Sequence, residues 1–493
     1  MSLNPEPSVP EERAEHNLPP KTYADAAEEA LESGPQSHAN GTTDEVKTNG
    51  IHPTSDEEKT SHEGVGQDGS PKSPTARGHR RVSSRSSRRS SNHTQDNSPP
   101  KDMFESHING NGDALTSVKP SQDVELPEKD RRVDRKRRNS ELTTGRQAGA
   151  GWSKSKIRFA PMNVPLQRRL QTLAVLMHTL SIVGSLAIFF FLCSIPLLWP
   201  ILLPYTVYVL FSNAGTSGEL SLRSEWFRRL PVWSLFASYF PARLHRSQEL
   251  EPTRKYIFGY HPHGIISHGA FAAFATEALG FSQLFPGITN ALLTLDSNFR
   301  YPIYREYALR LGMASVSRES CENILSKGGQ NGEGMGRAIT IVVGGASESL
   351  DARPGVIRLV LRRRKGFVKM AIRTGADLVP VLAFGENDIY DQVDTESHPY
   401  IHQFQMLVKK FLGFTVPIFH ARGVFNYDVG MMPYRRPINI VVGRPIRVIQ
   451  DQHPDNDYIN QVHQQYVDEL MRIWDEHKDT FAKHRTAELE IVE

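Results

Sequence analysis

The sequence predicts a mixed α/β domain, preceded by a membrane-embedded helical hairpin and a disordered N-terminal tail. Three observations predict it. The chain from Met1 to about Gly151 is rich in Ser, Pro, Gly, Asn, Glu and Lys, with apolar residues scattered among them; Leu170 to Gly218 contains no Lys, Arg, Asp or Glu; and beyond it short β-branched runs alternate with helical periodicity.

The tail, residues 1–153, has too few apolar residues to bury a core that would offset chain entropy, so its composition predicts disorder. It is therefore expected to be dispensable for chemistry. Arg80-Arg81-Val82-Ser83, Arg88-Arg89-Ser90 and Arg137-Arg138-Asn139-Ser140 place serines beside arginine pairs, where a phosphate would change the local charge; a merely solvated basic tail is the alternative.

Residues 154–218 read as the membrane anchor. Their apolar part, about 170–211, is roughly twice the ~20 residues of one span, and Pro196, Pro200 and Pro204 interrupt it where a turn would fall. Basic residues flank it on both sides, Lys154, Lys156, Arg158, Arg168 and Arg169 before, and Arg223, Arg228, Arg229, Arg243 and Arg246 after. The positive-inside bias then keeps both ends cytosolic, which a hairpin satisfies and a single span does not. A helix pair buried in a soluble core is the alternative.

Residues 219–493 read as one α/β unit. Strands are expected at Tyr256–Tyr260, Ile339–Val343, Leu378–Phe384 and Ile438–Gly443, and helices at Ile265–Leu279, Gly366–Thr374 and Asp457–Phe481. The Gly-rich stretch from Lys327 to Gly336 reads as a loop. A net charge of +3 over 493 residues gives no reason to expect nucleic acid, and two cysteines, Cys193 and Cys321, offer neither a disulfide framework nor metal-ligand spacing.

The segment Phe258-Gly259-Tyr260-His261-Pro262-His263-Gly264 puts two histidines where a predicted strand ends and a helix begins. An imidazole there can take a proton from an alcohol as it attacks a thioester, with Pro262 restricting and Gly264 freeing the backbone. Alone, the tetrapeptide fits a structural turn as well, or a zinc pair, although no cysteine or third histidine recurs at ligand spacing. Val343-Gly344-Gly345-Ala346-Ser347-Glu348 also follows a strand. Gly344 and Gly345 would let backbone amides approach a phosphate or an oxyanion, and Glu348 could orient the imidazole; a tight turn and an exposed cap are the plainer readings. Arg358, Arg362, Arg363, Arg364 and Lys365 form the densest basic cluster of this region, suited to CoA phosphates or to anionic lipid heads. Trp226 to Trp233, leading into Tyr239-Phe240-Pro241, suits a membrane interface.

Taken together, His261 to Gly264, Tyr239-Phe240-Pro241, Asn298-Phe299-Arg300, Arg305-Glu306-Tyr307, Val343 to Ser349, Arg364-Lys365-Gly366-Phe367 and Phe384-Gly385-Glu386-Asn387 resemble, in this order, the type 2 diacylglycerol acyltransferase family. The resemblance spans about Leu220 to the C-terminus, and the tail suggests a fungal member. It implies an acyltransferase-like mixed sheet flanked by helices, and an enzyme of the endoplasmic reticulum membrane and lipid-droplet surface, its catalytic domain facing the cytosol. The implied reaction moves an acyl group from acyl-CoA to diacylglycerol, with no cofactor, no metal and no nucleic acid, and leaves a homo-oligomer open. The catalytic residues would be His263, His261 and Glu348; Gly344, Gly345, Arg362, Arg363, Arg364 and Lys365 would serve the oxyanion and acyl-CoA. Pro262, Gly264, Tyr239, Phe240, Pro241, Asn298, Glu386 and Asn387 would build the motifs.

Related glycerolipid acyltransferases carry an aspartate five residues after their histidine, where this chain has His268. The orienting group is therefore open among Glu348, Glu277 and Asp296. The sequence also leaves open monoacylglycerol or a long-chain alcohol as acceptor, and a hairpin lipid-droplet protein without turnover, against which the dense His, Gly-Gly and Glu motifs argue.

Overall fold

The computed structural model describes residues 103–108, 114–120, 159–160, 164–392 and 419–492. Nine strands form its main sheet: β1 (Phe104–Ile108), β2 (Ala114–Val118), β3 (Arg243–Arg246), β4 (Lys255–His261), β5 (Thr289–Thr294), β6 (Ala314–Ser315), β7 (Arg337–Val342), β8 (Ala376–Phe384) and β9 (Asn439–Val442). Their order across the sheet is β1-β2-β3-β9-β8-β4-β7-β5-β6. The centre, from β8 through β4, β7 and β5 to β6, is parallel, whereas β9 runs antiparallel to β8.

Alternation along the central strands feeds two cores. Val379, Val381 and Ala383 of β8 enter one, with Phe258 and Tyr260 of β4; Leu378, Leu382 and Phe384 enter the other, with Ile257. The first face is covered by α1 (Leu166–Thr179), α4 (Pro231–Tyr239) and the segment His268–Ala275. Helices α6 (Arg318–Ser326), α8 (Gly366–Thr374) and α9 (Asn456–Phe481) cover the second. Ile459, Val462, Tyr466, Leu470, Ile473 and Trp474 form the buried stripe of α9, at three- and four-residue steps, and Asp455 caps it by accepting from the Tyr458 amide at 2.6 Å.

The expected mixed sheet, the four expected strands and two of the three expected helices are present, with ends shifted by at most two residues. The third differs. Residues 268–275 form one α-turn and a short π-turn, ended by Thr276 in extended backbone. The expected loop at 327–336 pairs Gly328–Gly329 with Glu333–Met335.

The tail contributes structure that its composition hides. β1 and β2 form an antiparallel hairpin, and β2 pairs with β3 through Thr116 and Ser117. Leu115 and Ser117 are buried, and Val118 packs against Gly280. The expected disorder therefore does not hold for Phe104–Ile108 and Ala114–Val118: side chains alternate in period two along these strands, and the edge of β3 offers hydrogen bonds that an isolated segment lacks. The Arg-Arg-Ser sites and the rest of the tail lie outside the described residues.

The charge-free run forms three helices where two were expected: α1, α2 (Ser181–Cys193) and α3 (Trp199–Phe211). The expected turn falls at Ser194–Leu198, between α2 and α3, and holds Pro196; Pro200 and Pro204 lie instead within α3. Among the described residues no single helix is long and apolar enough to cross a membrane; α1 and α2 meet that test only together, bent by 69°. α1 packs partly on the domain, through Arg168, Gln171, Ala174 and Val175. In contrast no residue of α2 is buried, and α3 buries only Val209.

Candidate active site

β4 and β8 are parallel neighbours, with Leu382 opposite His261, so the turn after each strand emerges at the same sheet end. The turn after β4 carries Pro262, His263 and Gly264; the turn after β8 carries Gly385, Glu386 and Asn387. β7, on the other side of β4, ends just before Gly344 and Gly345. This is the carboxyl end of a parallel sheet, where loops from adjacent strands converge.

The two histidines face different surroundings. His261 is sealed beneath α9: its Nε2 lies 2.9 Å from the Tyr466 hydroxyl, which donates to the Gly259 carbonyl at 3.0 Å. With its proton committed there, the hydroxyl accepts from His261, so Nε2 carries the ring proton. Burial lowers the His261 pKa to about 3 and keeps the ring neutral. His263 remains partly exposed, and its Nδ1 is 3.0 Å from the Gly264 carbonyl. A carbonyl can only accept. Nδ1 therefore bears the proton and Nε2 presents a lone pair, while desolvation lowers the pKa and favours the neutral base.

Glu348 sits on α7 (Gly345–Leu350), buried, with each oxygen holding a backbone amide: His263 at 2.8 Å and Val360 at 2.9 Å. It therefore reaches the main chain of His263; the partner of the imidazole is the Gly264 carbonyl. Burial pushes the Glu348 pKa up to about 7, against the two amide bonds and the nearby Arg364 guanidinium. Gly344 is needed for this fold-back, since a Cβ there would sit 1.7 Å from the Glu348 carboxyl carbon. Gly345 takes a left-handed φ of 57°. The other carboxylates considered are engaged elsewhere, Glu277 with the buried Arg228 at 2.9 Å and Asp296 with Arg300 at 3.3 Å.

The remaining motif residues divide between site and scaffold. Tyr239 and Phe240 are buried: the Tyr239 hydroxyl donates to the Pro433 carbonyl at 2.6 Å, and Phe240 stacks on His268 at 5.2 Å. Pro241 follows them partly exposed, so this motif is scaffold beside the site, whereas Trp226 is 73% exposed. Asn298 bonds Thr294 at 2.7 Å, and Asn387 bonds the Val356 carbonyl at 2.9 Å. In the basic cluster, Arg358 pairs with Asp351 and Glu490 at 2.9 and 3.1 Å, Lys365 bonds Asn460 at 2.7 Å, and Arg364 is buried. Arg362 and Arg363 are exposed at the approach to α8. His268 is buried, with its Nε2 2.9 Å from the Tyr390 hydroxyl. Among the described residues no group of three or more His, Cys, Asp or Glu could hold a metal ion.

Tyr466 was not among the sequence candidates. It meets His261 across 205 positions, and only the docking of α9 joins them. The role of Glu386 was also unread. Its carboxylate accepts from the Tyr260 hydroxyl at 2.8 Å and the Gly269 amide at 2.9 Å, beneath the histidine turn, and burial pushes its pKa up to about 7.

Comparison with known proteins decides the lineage. The diacylglycerol acyltransferase family model matches residues 190–492. The chain belongs to the diacylglycerol acyltransferase family. It is 51% identical over 340 residues to diacylglycerol O-acyltransferase 2A of Umbelopsis ramanniana, covering 68% of this chain and 94% of that protein. It is 45% identical over 330 residues to 2-acylglycerol O-acyltransferase 1 of Bos taurus, covering 66% and 96%. The type 2 resemblance drawn from the motifs is borne out, fungal relatives included, and this family member is an acyltransferase. Among solved structures it is similar to the 1-acyl-sn-glycerophosphate acyltransferase of Thermotoga maritima, 13% identical over 62% of this chain and 97% of that one; a TM-score of 0.29 is too low for that likeness to carry an argument.

Proposed function

We propose that this family member transfers an acyl group from acyl-CoA directly to the free hydroxyl of diacylglycerol, with His263 as general base. One observation carries the reading: the bond from Nδ1 to the Gly264 carbonyl leaves the Nε2 lone pair of a partly exposed, neutral imidazole as the proton acceptor, whereas the His261 ring is sealed. Nε2 takes the hydroxyl proton, the oxygen forms a bond to the thioester carbonyl carbon, the carbon–sulfur bond breaks, and the proton passes to the thiolate to give CoA. Backbone amides near Gly344 and Gly345 steady the oxyanion. His261 and Glu348 position the turn, and the exposed Arg362 and Arg363 meet the CoA phosphates, with Arg364 and Lys365 bracing the cluster. No metal or cofactor takes part.

The exposed apolar surface of α2, α3 and the turn between them, including Phe190, Phe191, Leu197, Ile201, Leu203 and Phe211, supports insertion into lipid. Each helix has 13 residues, roughly 20 Å at ~1.5 Å per residue, against a ~30 Å hydrocarbon core. A hairpin that enters and leaves on one face fits these lengths and the basic flanks. It keeps the catalytic domain on the cytosolic face of the endoplasmic reticulum or on a lipid droplet, where acyl-CoA and diacylglycerol meet; association of copies is compatible with this placement.

Microsomes carrying the protein, given labelled acyl-CoA with diacylglycerol, 2-acylglycerol or a long-chain alcohol, should form triacylglycerol fastest. Faster acylation of either other acceptor would reassign the acceptor, and no acylation of any would leave a hairpin protein without turnover. In the same sealed microsomes protease should cut a C-terminal tag; protection of the tag would overturn the topology.

A further inference from the structure

Glu386 occupies the space that two glycines leave in the loop from His263 to the following helical turn. Gly264, at φ 59°, has no room for a side chain, since a Cβ would lie 2.8 Å from Glu386 Cγ. At Gly269 a Cβ would lie 2.5 Å from Glu386 Oε2 and 2.4 Å from the Tyr260 hydroxyl. One oxygen, Oε2, accepts from both that hydroxyl and the Gly269 amide, at 2.8 and 2.9 Å. The glutamate thereby ties the strand end before the histidines to the helical turn after them, with the Gly264 backbone packed on its stem.

The Gly264 carbonyl is also the group that holds His263 Nδ1, at 3.0 Å. Wherever the Gly264 peptide goes, the imidazole ring and its protonated nitrogen follow. We infer that Glu386 is a positioning residue, which fixes the orientation and tautomer of His263 through the Gly264 peptide and takes the place of a carboxylate bonded to the ring. Two further features fit. Glu386 is only 1% exposed and its Oε1 has no hydrogen-bond partner, so its burial costs stability, a cost that a role in the site explains. Burial also pushes its pKa up to about 7, so the neutral form, which a glutamine mimics, is accessible at neutral pH. This inference rests on His263 being the base.

Full-length Glu386→Gln, Glu386→Ala, Tyr260→Phe and His263→Ala, in microsomes at equal protein amount, test it. Glu386→Gln keeps the volume and an acceptor oxygen and should hold kcat within about threefold, while Glu386→Ala should lower kcat at least tenfold with KM for acyl-CoA unchanged. Tyr260→Phe should fall between them. Ile473→Val, in the α9 core and bonded to no site residue, controls for stability: a variant with the same loss of thermal midpoint should keep its kcat. If Glu386→Ala keeps kcat while His263→Ala has lost it, Glu386 does not position the base and the inference fails alone. Loss in Glu386→Ala that only matches a stability loss, or that falls on KM, also overturns it. Near-normal activity in His263→Ala would instead remove the reading on which it rests.

Discussion

At the scale of single residues, the candidate site stands on buried groups whose neutral forms burial favours. Glu348 and Glu386, ordinarily near 4.5, are pushed up to about 7 by burial, so the folded chain binds more protons than the unfolded one between those values. The stability linked to them is complete below about pH 4.5 and is lost as pH rises through 7. Buried His261 has the opposite sign, because its pKa falls to about 3: the unfolded chain binds the extra proton below 6.5, and stability is gained as pH rises toward that value. His245, lowered to about 4, and His268, which burial holds well below the usual histidine value, act in the same direction. The two effects oppose each other between pH 4.5 and 6.5, and above 6.5 only the glutamates remain. The thermal midpoint should therefore fall from pH 6.5 to 8, and the fall should be smaller in Glu348→Gln and Glu386→Gln. A flat or rising midpoint in the unsubstituted protein would show that the two carboxyls ionise freely in the fold. At this scale the sequence was partly legible. Residue types near a strand end marked His261, His263 and Glu348, but which atom each touches was not readable, because the Gly264 carbonyl that holds His263 is a backbone group with no sequence signature.

At the scale of elements, amphipathic periodicity made α8 and α9 readable, and unbroken apolar runs did so for β4, β7 and β8. β3 and β5 were missed for a physical reason. β3 carries Arg243 and Arg246 on its partly exposed positions, and β5 buries the polar Asn290, whose side chain bonds Thr340 at 2.9 Å; neither reads as an apolar run. The β1–β2 hairpin was hidden by its polar surroundings and changes the expectation that the whole tail is dispensable. A chain beginning near Lys101 keeps the hairpin and should keep its thermal midpoint and its turnover. A chain beginning near Lys154 bares the edge of β3 and uncovers the contacts of Leu115, whose burial alone contributes about 2 kcal/mol. That shorter chain should melt several degrees lower or aggregate. Equal midpoints for the two chains would show that the hairpin contributes nothing to the fold.

At the scale of the whole molecule, the loops of three adjacent parallel strands supply the site, β4 the histidines, β7 the glycines and Glu348, and β8 Glu386, while α9 reaches across the sheet to seal His261. The order of the motifs along the chain was visible in the sequence, but their convergence depends on strand order, which crossovers scramble: β4 and β8 are neighbours although more than a hundred residues separate them. We propose that this convergence serves one basic nitrogen, Nε2 of His263. Initial rates of labelled triacylglycerol formation from diacylglycerol and acyl-CoA, for the unsubstituted protein and His263→Ala in microsomes matched for protein amount, test it most directly. His263→Ala should lose roughly a hundredfold or more in kcat with abundance and membrane attachment unchanged; near-normal turnover would show that Nε2 of His263 is not the base.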